Sequence, residues 1–248
     1  MTNAYRMHGL CIGSEVPLDA APAEGEPEVV VRWAERRPIS DEPALGSLLA
    51  ALELPGGASS LTRGPSGYTL RINGLCDFEI SSDLRAVAVH LSPAASEEAA
   101  SLLAGNALAM LLALRGHCML HASAVSVDPR AVAFVGAAGM GKSTVAALCC
   151  AAGASLITDD ALRVEQDGED AWCYRGSLEL RLRAPAAELA QRAGGAGSRW
   201  RRPHRTGRGL VGPRRRTATT GCPWSGTGRV RPRRRAHHPG RRVPGPRA

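Results

Sequence analysis

The sequence predicts an α/β protein in three parts: a small β-rich domain over residues 1–91, a mixed sheet with helices over residues 92–193, and a structureless tail over residues 194–248. Three observations carry that prediction. Short alternating apolar runs fill the first part, and in the second a buried strand feeds a glycine-rich loop and a helix. In the third, Arg, Pro and Gly displace almost every aliphatic residue.

The net charge of +8 hides an opposition. Residues 199–248 contain 16 Arg and no acid, whereas residues 1–198 carry 15 basic residues against 23 acids, a net −8. An acidic body bears a basic appendage, so the overall charge is no argument that the body binds nucleic acid or a membrane. No apolar stretch reaches the ~18–20 residues of a membrane span, since residues 102–114 are interrupted by Gly105 and Asn106. The first residues lack the basic-then-apolar run of a secretory signal. Seven cysteines form no CxxC or Cys/His ligand spacing, which favours a reduced, cytoplasmic chain over a disulfide or zinc scaffold.

In the first part, residues 29–33 read as a strand, as do residues 68–72 and 76–80, joined through the hairpin pair Asn73-Gly74. Residues 85–91 give a further strand, and residues 18–28, rich in Pro, Ala and Glu, a loop. None of this carries visible chemistry. A largely apolar helix follows, opened by Ser92-Pro93, with Glu97 and Glu98 in its first turns and Gly116 closing it. Residues 118–127 then read as a strand, Asp128-Pro129 as a turn, and residues 131–135 as a buried strand.

That strand runs into the most informative segment. Gly136, Ala137, Ala138, Gly139, Met140, Gly141, Lys142, Ser143 and Thr144 fit the phosphate-loop pattern G-x-x-x-x-G-K-[ST]. Glycines let successive N–H groups turn inward on phosphate oxygens, and the helix that follows adds its positive N-terminus. Lys142 is placed to reach the β- and γ-phosphates and the Ser143 hydroxyl to ligate Mg²⁺. Lys142 is the only lysine in a chain that otherwise uses Arg for every positive side chain. A compact ammonium is retained where the chemistry asks for one.

Seventeen residues after Lys142, the apolar run of residues 155–158 ends in Asp159-Asp160. Acids at a strand end beside a phosphate loop suit Mg²⁺ binding or orientation of the attacking group, although Asp is also common where strands simply stop. Adjacent residues on a strand point to opposite sides, so the two acids have different work. His121 lies fifteen residues before Gly136, and Glu179 sits in an alternating Leu-Glu-Leu-Arg-Leu run after a turn at Asp167-Gly168. By itself a lone His is more often structural than catalytic, and Glu179 reads as a solvent-facing strand residue.

His121, the Gly136–Thr144 loop, Asp159-Asp160 and the Leu-Glu-Leu-Arg segment, in this order and spacing, resemble the catalytic domain of HPr kinase/phosphorylase. The chain looks more like the shorter HPr-kinase-like bacterial serine kinases, which share an opening similar to Tyr5-Arg-Met-His-Gly-Leu-Cys-Ile-Gly-Ser14 and a core segment like Leu120-His-Ala-Ser-Ala124. The resemblance implies a phosphoenolpyruvate-carboxykinase-like fold, ATP and Mg²⁺ as cofactors, and transfer of the γ-phosphoryl to a serine of a protein or peptide. Asp159 would match the acid that activates the seryl hydroxyl, with His121 and Lys142 beside it. Ser143, Asp160 and Glu179 would match the Mg²⁺ site. The chain departs from the family in reading Gly-Ala-Ala-Gly for Gly-x-Ser-Gly and in having no counterpart to the downstream basic residue.

Two readings of the tail stand. Clustered Arg would bind a nucleic-acid backbone without sequence preference. Equally, Arg-Pro-Gly-Thr text is what GC-rich DNA yields when translated in a shifted frame, and a catalytic domain shortened in that way leaves a nucleotide-binding protein without transfer as the alternative function.

Overall fold

The structure, a computed structural model, describes residues 2–54, 57–127, 130–167, 170–193, 208–211 and 227–230. The chain begins with β1 (Asn3–Met7) and β2 (Leu10–Ser14), an antiparallel hairpin whose two-residue turn is His8-Gly9. Both turn residues have positive φ, 52° and 84°, the geometry that matches the twist of a tight hairpin. β3 (Ala21–Pro22) pairs with β1, and β4 (Val29–Trp33) runs parallel to β2. A meander follows: β5 (Ser47–Leu54), β6 (Gly57–Gly64), β7 (Gly67–Ile72), β8 (Cys76–Ser81) and β9 (Ala86–Leu91). Among the described residues these strands make one sheet in the order β3-β1-β2-β4-β9-β8-β7-β6-β5. The expected hairpin at Asn73-Gly74 is present, with Gly74 at φ 66°.

Helix α1 (Glu97–Leu114) begins later than its sequence suggests. Its N-cap is Ser96, whose Oγ accepts from the Ala99 amide at 3.2 Å, while Ser92 closes a separate turn with Ala95. Gly116 ends it as expected: at φ 87° it donates to Ala113 O while His117 donates to Leu112 O, a paired closure of the last turn. Leu103, Leu108, Leu111 and Leu112 pack with Ile12, Leu70, Phe78 and Val89 in one core, so α1 belongs to the first sheet although it follows residue 91. It is the one helix among the described residues long and apolar enough to cross a membrane, and its apolar side is spent on that core.

The strand expected over residues 118–127 is two strands, β10 (Cys118–Leu120) and β11 (Ala122–Val127), separated by His121 alone. β12 (Arg130–Val135) pairs with β11 and leads through the glycine loop into α2 (Lys142–Ala151). β13 (Ser155–Thr158), β14 (Leu162–Asp167) and β15 (Asp170–Tyr174) follow, then β16 (Leu180–Arg183) and α3 (Ala184–Ala193). The turn expected at Asp128-Pro129 and residue 168 of the Asp167-Gly168 turn lie outside the described residues.

Two pieces of the basic tail are strands: β17 (Arg208–Val211) on β16, and β18 (Thr227–Val230) between β15 and β12. For these eight residues the expectation of a structureless tail is corrected. Strand pairing satisfies backbone groups whatever the side chains, and the two segments contain Leu210, Val211 and Val230, three of the four tail aliphatics. The rest of residues 194–248 lies outside the described residues.

The second sheet has the order β10-β14-β15-β18-β12-β11-β13. One residue joins β10, at one edge of the sheet, to β11, which lies next to the other edge strand. α2 packs through Ala146 and Ala147 against Val125 and Leu156 of this sheet and against Leu180 and Leu182 of β16. The six cysteines among the described residues are all free. Burial pushes the Cys76 thiol up to about 12 and Cys150 to about 11, so both serve as small apolar residues.

Candidate functional site

The loop between β12 and α2 is exposed and turns on two glycines, Gly139 and Gly141, each at φ 83°. A side chain at that φ is strained, which explains glycine at both positions. Gly141 is the N-cap of α2, so the helix amide end opens directly at the loop. Lys142 folds back over it, Nζ donating to the carbonyls of Gly136 at 2.9 Å and Ala137 at 3.1 Å. The chain's one lysine therefore keeps its charge at the loop mouth.

Asp159 follows β13 and is 3% exposed. Its Oδ1 accepts two hydroxyl donors: Ser143 Oγ from the first turn of α2 at 2.9 Å, and Ser123 Oγ from β11 at 2.5 Å. Three elements distant in sequence thus converge on one carboxylate, and charge-assisted bonds of this kind hold it in one orientation. Ser123, fully buried, is a site residue that the sequence reading quoted without giving it a role. The available signal was a hydroxyl in an otherwise small and apolar strand.

Asp160 has φ 68°, and the Ala161 amide donates to Asp159 O at 2.9 Å across it. That contact closes a three-residue turn, held from below by Thr158 Oγ1 donating to Ala161 O at 2.7 Å. A non-glycine residue in this region stores strain that the surrounding bonds must offset. His121 Nδ1 lies 3.0 Å from Asp160 O. Since a carbonyl only accepts, Nδ1 carries a proton in this contact.

Of the expected Mg²⁺ set of Ser143, Asp160 and Glu179, Ser143 donates to Asp159, and Asp160 and Glu179 line one cavity together with Asp159. No group of three or more His, Cys, Asp or Glu disposed for a metal occurs among the described residues. Mg²⁺ asks less of a protein than that: one or two hard oxygen donors suffice, the remainder coming from phosphates and water. Ser143 Oγ and the Asp159 carboxylate are such a pair and fit the ion.

The cavity has a volume of about 340 Å³ and lies between the β1–β2 turn, α1 and the Asp159-Asp160 turn. Its anchor is His8, 1% exposed, whose amide donates to Arg175 O at 2.6 Å and whose carbonyl accepts from Arg163 Nη1 at 2.7 Å. Burial first, and the Arg163 charge second, lower the His8 pKa to about 4 and keep the ring neutral. Arg163 stacks on the Tyr174 ring at 4.3 Å and bonds Glu165, which the Tyr174 hydroxyl also bonds. Tyr174 in turn lies against Gly9, where an added Cβ would meet the ring at 2.6 Å. The first hairpin is therefore seated on β14 and β15, and Ser177 Oγ donating to Asp19 Oδ2 at 2.9 Å adds a second tie.

No protein-family model matches the chain, and no curated protein matches it.

Proposed function

We propose that this chain is an ATP- and Mg²⁺-dependent serine kinase of the HPr-kinase-like group, acting in the cytoplasm on a protein or peptide hydroxyl. The observation that carries the reading is the convergence of Ser143 and Ser123 on Asp159 beside the Gly136–Thr144 loop. Phosphoryl transfer needs positioned charge more than covalent help, and the loop amides, the end of α2 and Lys142 concentrate positive potential at one place. Bound Mg²⁺ offsets charge on the phosphates.

The protein's own groups divide the remaining work. Asp159, held in one orientation by serine hydroxyls, takes the proton of the acceptor hydroxyl onto its carboxylate. Ser143, beside Asp159, would hold the Mg²⁺ of the nucleotide. His121, oriented by its Nδ1 contact with Asp160 O, stands beside the acid pair. The acceptor approaches from the cavity that Asp159 and Asp160 line.

The test is Mg-ATP binding and phosphoryl transfer by three forms of the full chain. Lys142→Ala abolishes saturable nucleotide binding. Asp159→Asn keeps binding, because the amide oxygen still accepts from both serines, but lowers transfer by about 10²–10⁴-fold. Equal transfer by Asp159→Asn and the native chain refutes the assignment. Nucleotide binding with no transfer by the native chain establishes the alternative, a nucleotide-binding protein without kinase activity.

A further inference from the structure

At the far edge of the first sheet we infer that β5 pairs with β5 of a second copy of this chain, joining two chains edge to edge about a two-fold axis. The inference is independent of the kinase reading. β5 (Ser47–Leu54) is the end strand of its sheet, with β6 on one side and no strand on the other among the described residues. An end strand presents a row of backbone N–H and C=O groups to any strand laid beside it, and soluble proteins commonly blunt such an edge by short length, Pro or Lys. β5 has eight residues and contains no Pro, Lys or Arg. A bulge separates Leu48 from Ala50, and beyond it the register with β6 is regular from Ala50 to Leu54.

The side chains agree with the backbone. Leu45 is 96% exposed, Leu48 55% and Leu49 49%. A single exposed leucine needs no explanation, but three within five residues along an open strand edge form one patch. Ala50 beside them packs on the core of the first sheet, so a strand laid along β5 extends an existing core. Length selects the occupant. The other sheet edges among the described residues are β3 with two residues, β10 with three, and β13, β16 and β17 with four each. Only β5 of a second copy matches β5. Charge agrees, because no side chain from residue 43 to residue 52 is charged. Nothing there repels a second copy, and the Arg-rich residues 199–248 find nothing there to pair with. Antiparallel pairing sets Glu53, the one charged residue of β5, opposite an uncharged residue of its partner. Such a pair is self-complementary and closed, since each copy uses the same edge once. The contact is small, and so the dimer belongs to the concentration-dependent class and not to the obligate one. β5 also lies at the opposite end of the sheet order from the first hairpin, which keeps the cavity clear of the contact.

The experiment is sedimentation velocity of the full chain over a concentration range of about 1–100 µM, with amide hydrogen exchange at both ends of the range. The average mass rises from one chain toward two, and exchange over residues 47–54 slows as it does. Ala51 is exposed and lies near the middle of β5, so in any two-fold pairing that uses most of the strand it comes close to its own copy. Ala51→Lys and Ala51→Glu therefore each set like charges together and weaken association by at least about ten-fold. An equimolar mixture of the two variants regains the dimer. That recovery, with an unchanged thermal transition for each variant, separates a lost interface from a lost fold. The inference is overturned by a native chain that stays monomeric at the highest concentration, or by protection that falls outside β5. Variants that associate as well as the native chain overturn it too, as does a mixture that stays monomeric.

Discussion

Acidification from pH 7 to 5 should weaken the fold through one residue, His8. In the folded chain its ring titrates at about 4, against 6.5 when exposed. Above 6.5 the folded and unfolded states bind the same number of protons here, and the stability from the neutral buried ring is fully present. As the pH falls below 6.5 the unfolded state takes up a proton that the folded state refuses, so stability falls with pH until the folded ring titrates too. The slope approaches 1.36 kcal/mol per pH unit, giving a loss of about 2 kcal/mol at pH 5 and roughly 3 kcal/mol at pH 4. Against a typical domain stability of about 5–15 kcal/mol that is a large share. Urea unfolding at pH 7, 6 and 5 measures it, with His8→Asn as the reference. Asn tolerates the positive φ at this turn and does not titrate. His117, also lowered by burial and by Arg163, contributes alike to both proteins and cancels in the difference. Parallel pH profiles for native and His8→Asn chains would refute the reasoning.

Two further substitutions probe the packing that holds the site. Asp77 is fully buried in the first sheet and accepts Arg71 Nε at 2.7 Å, Arg71 Nη2 at 2.8 Å and Arg37 Nη2 at 3.0 Å. Asp77→Ala leaves two guanidinium groups without that partner and costs about 3–5 kcal/mol in urea unfolding, whereas Glu79→Gln, at the exposed end of the same cluster, costs less than about 1 kcal/mol. Similar losses for both would show that the buried carboxylate carries no special weight. Gly176→Ala places a Cβ against Thr158 Oγ1 and 2.5 Å from His8 Cε1. It should lower stability by about 1–3 kcal/mol and weaken peptide binding in the cavity, with a neutral thermal shift as the contrary result.

Local chemistry was legible in the sequence wherever it repeats at short range. Residues 29–33, 68–72 and 76–80 read as strands, and they are strands; Gly116 ends its helix because a left-handed closure suits glycine. The loop from Gly136 to Thr144 was readable for the same reason, since its spacing is its mechanism. Reading failed where two local signals competed. Ser92-Pro93 and Ser96 both look like helix starts, and only packing of Ala100 and Leu103 on the sheet selects Ser96. Residues 47–54, to which the sequence assigned no element of their own, lie in β5 and pair with β6.

By itself, then, the sequence determined the order of strands and helices around the loop, the single lysine, and the presence of two acids after β13. It had no means of assigning Ser143 to Asp159 rather than Asp160, since that choice is made by a turn at φ 68° and by Ser123 reaching in from another strand. Nor did it give a role to His8, which lies within the opening Tyr5–Ser14 and joins the site because the first hairpin is seated on Arg163 and Tyr174. Side-chain periodicity reports a residue's own face, but a shared cavity depends on contacts between segments more than a hundred residues apart. Only tertiary packing decides those.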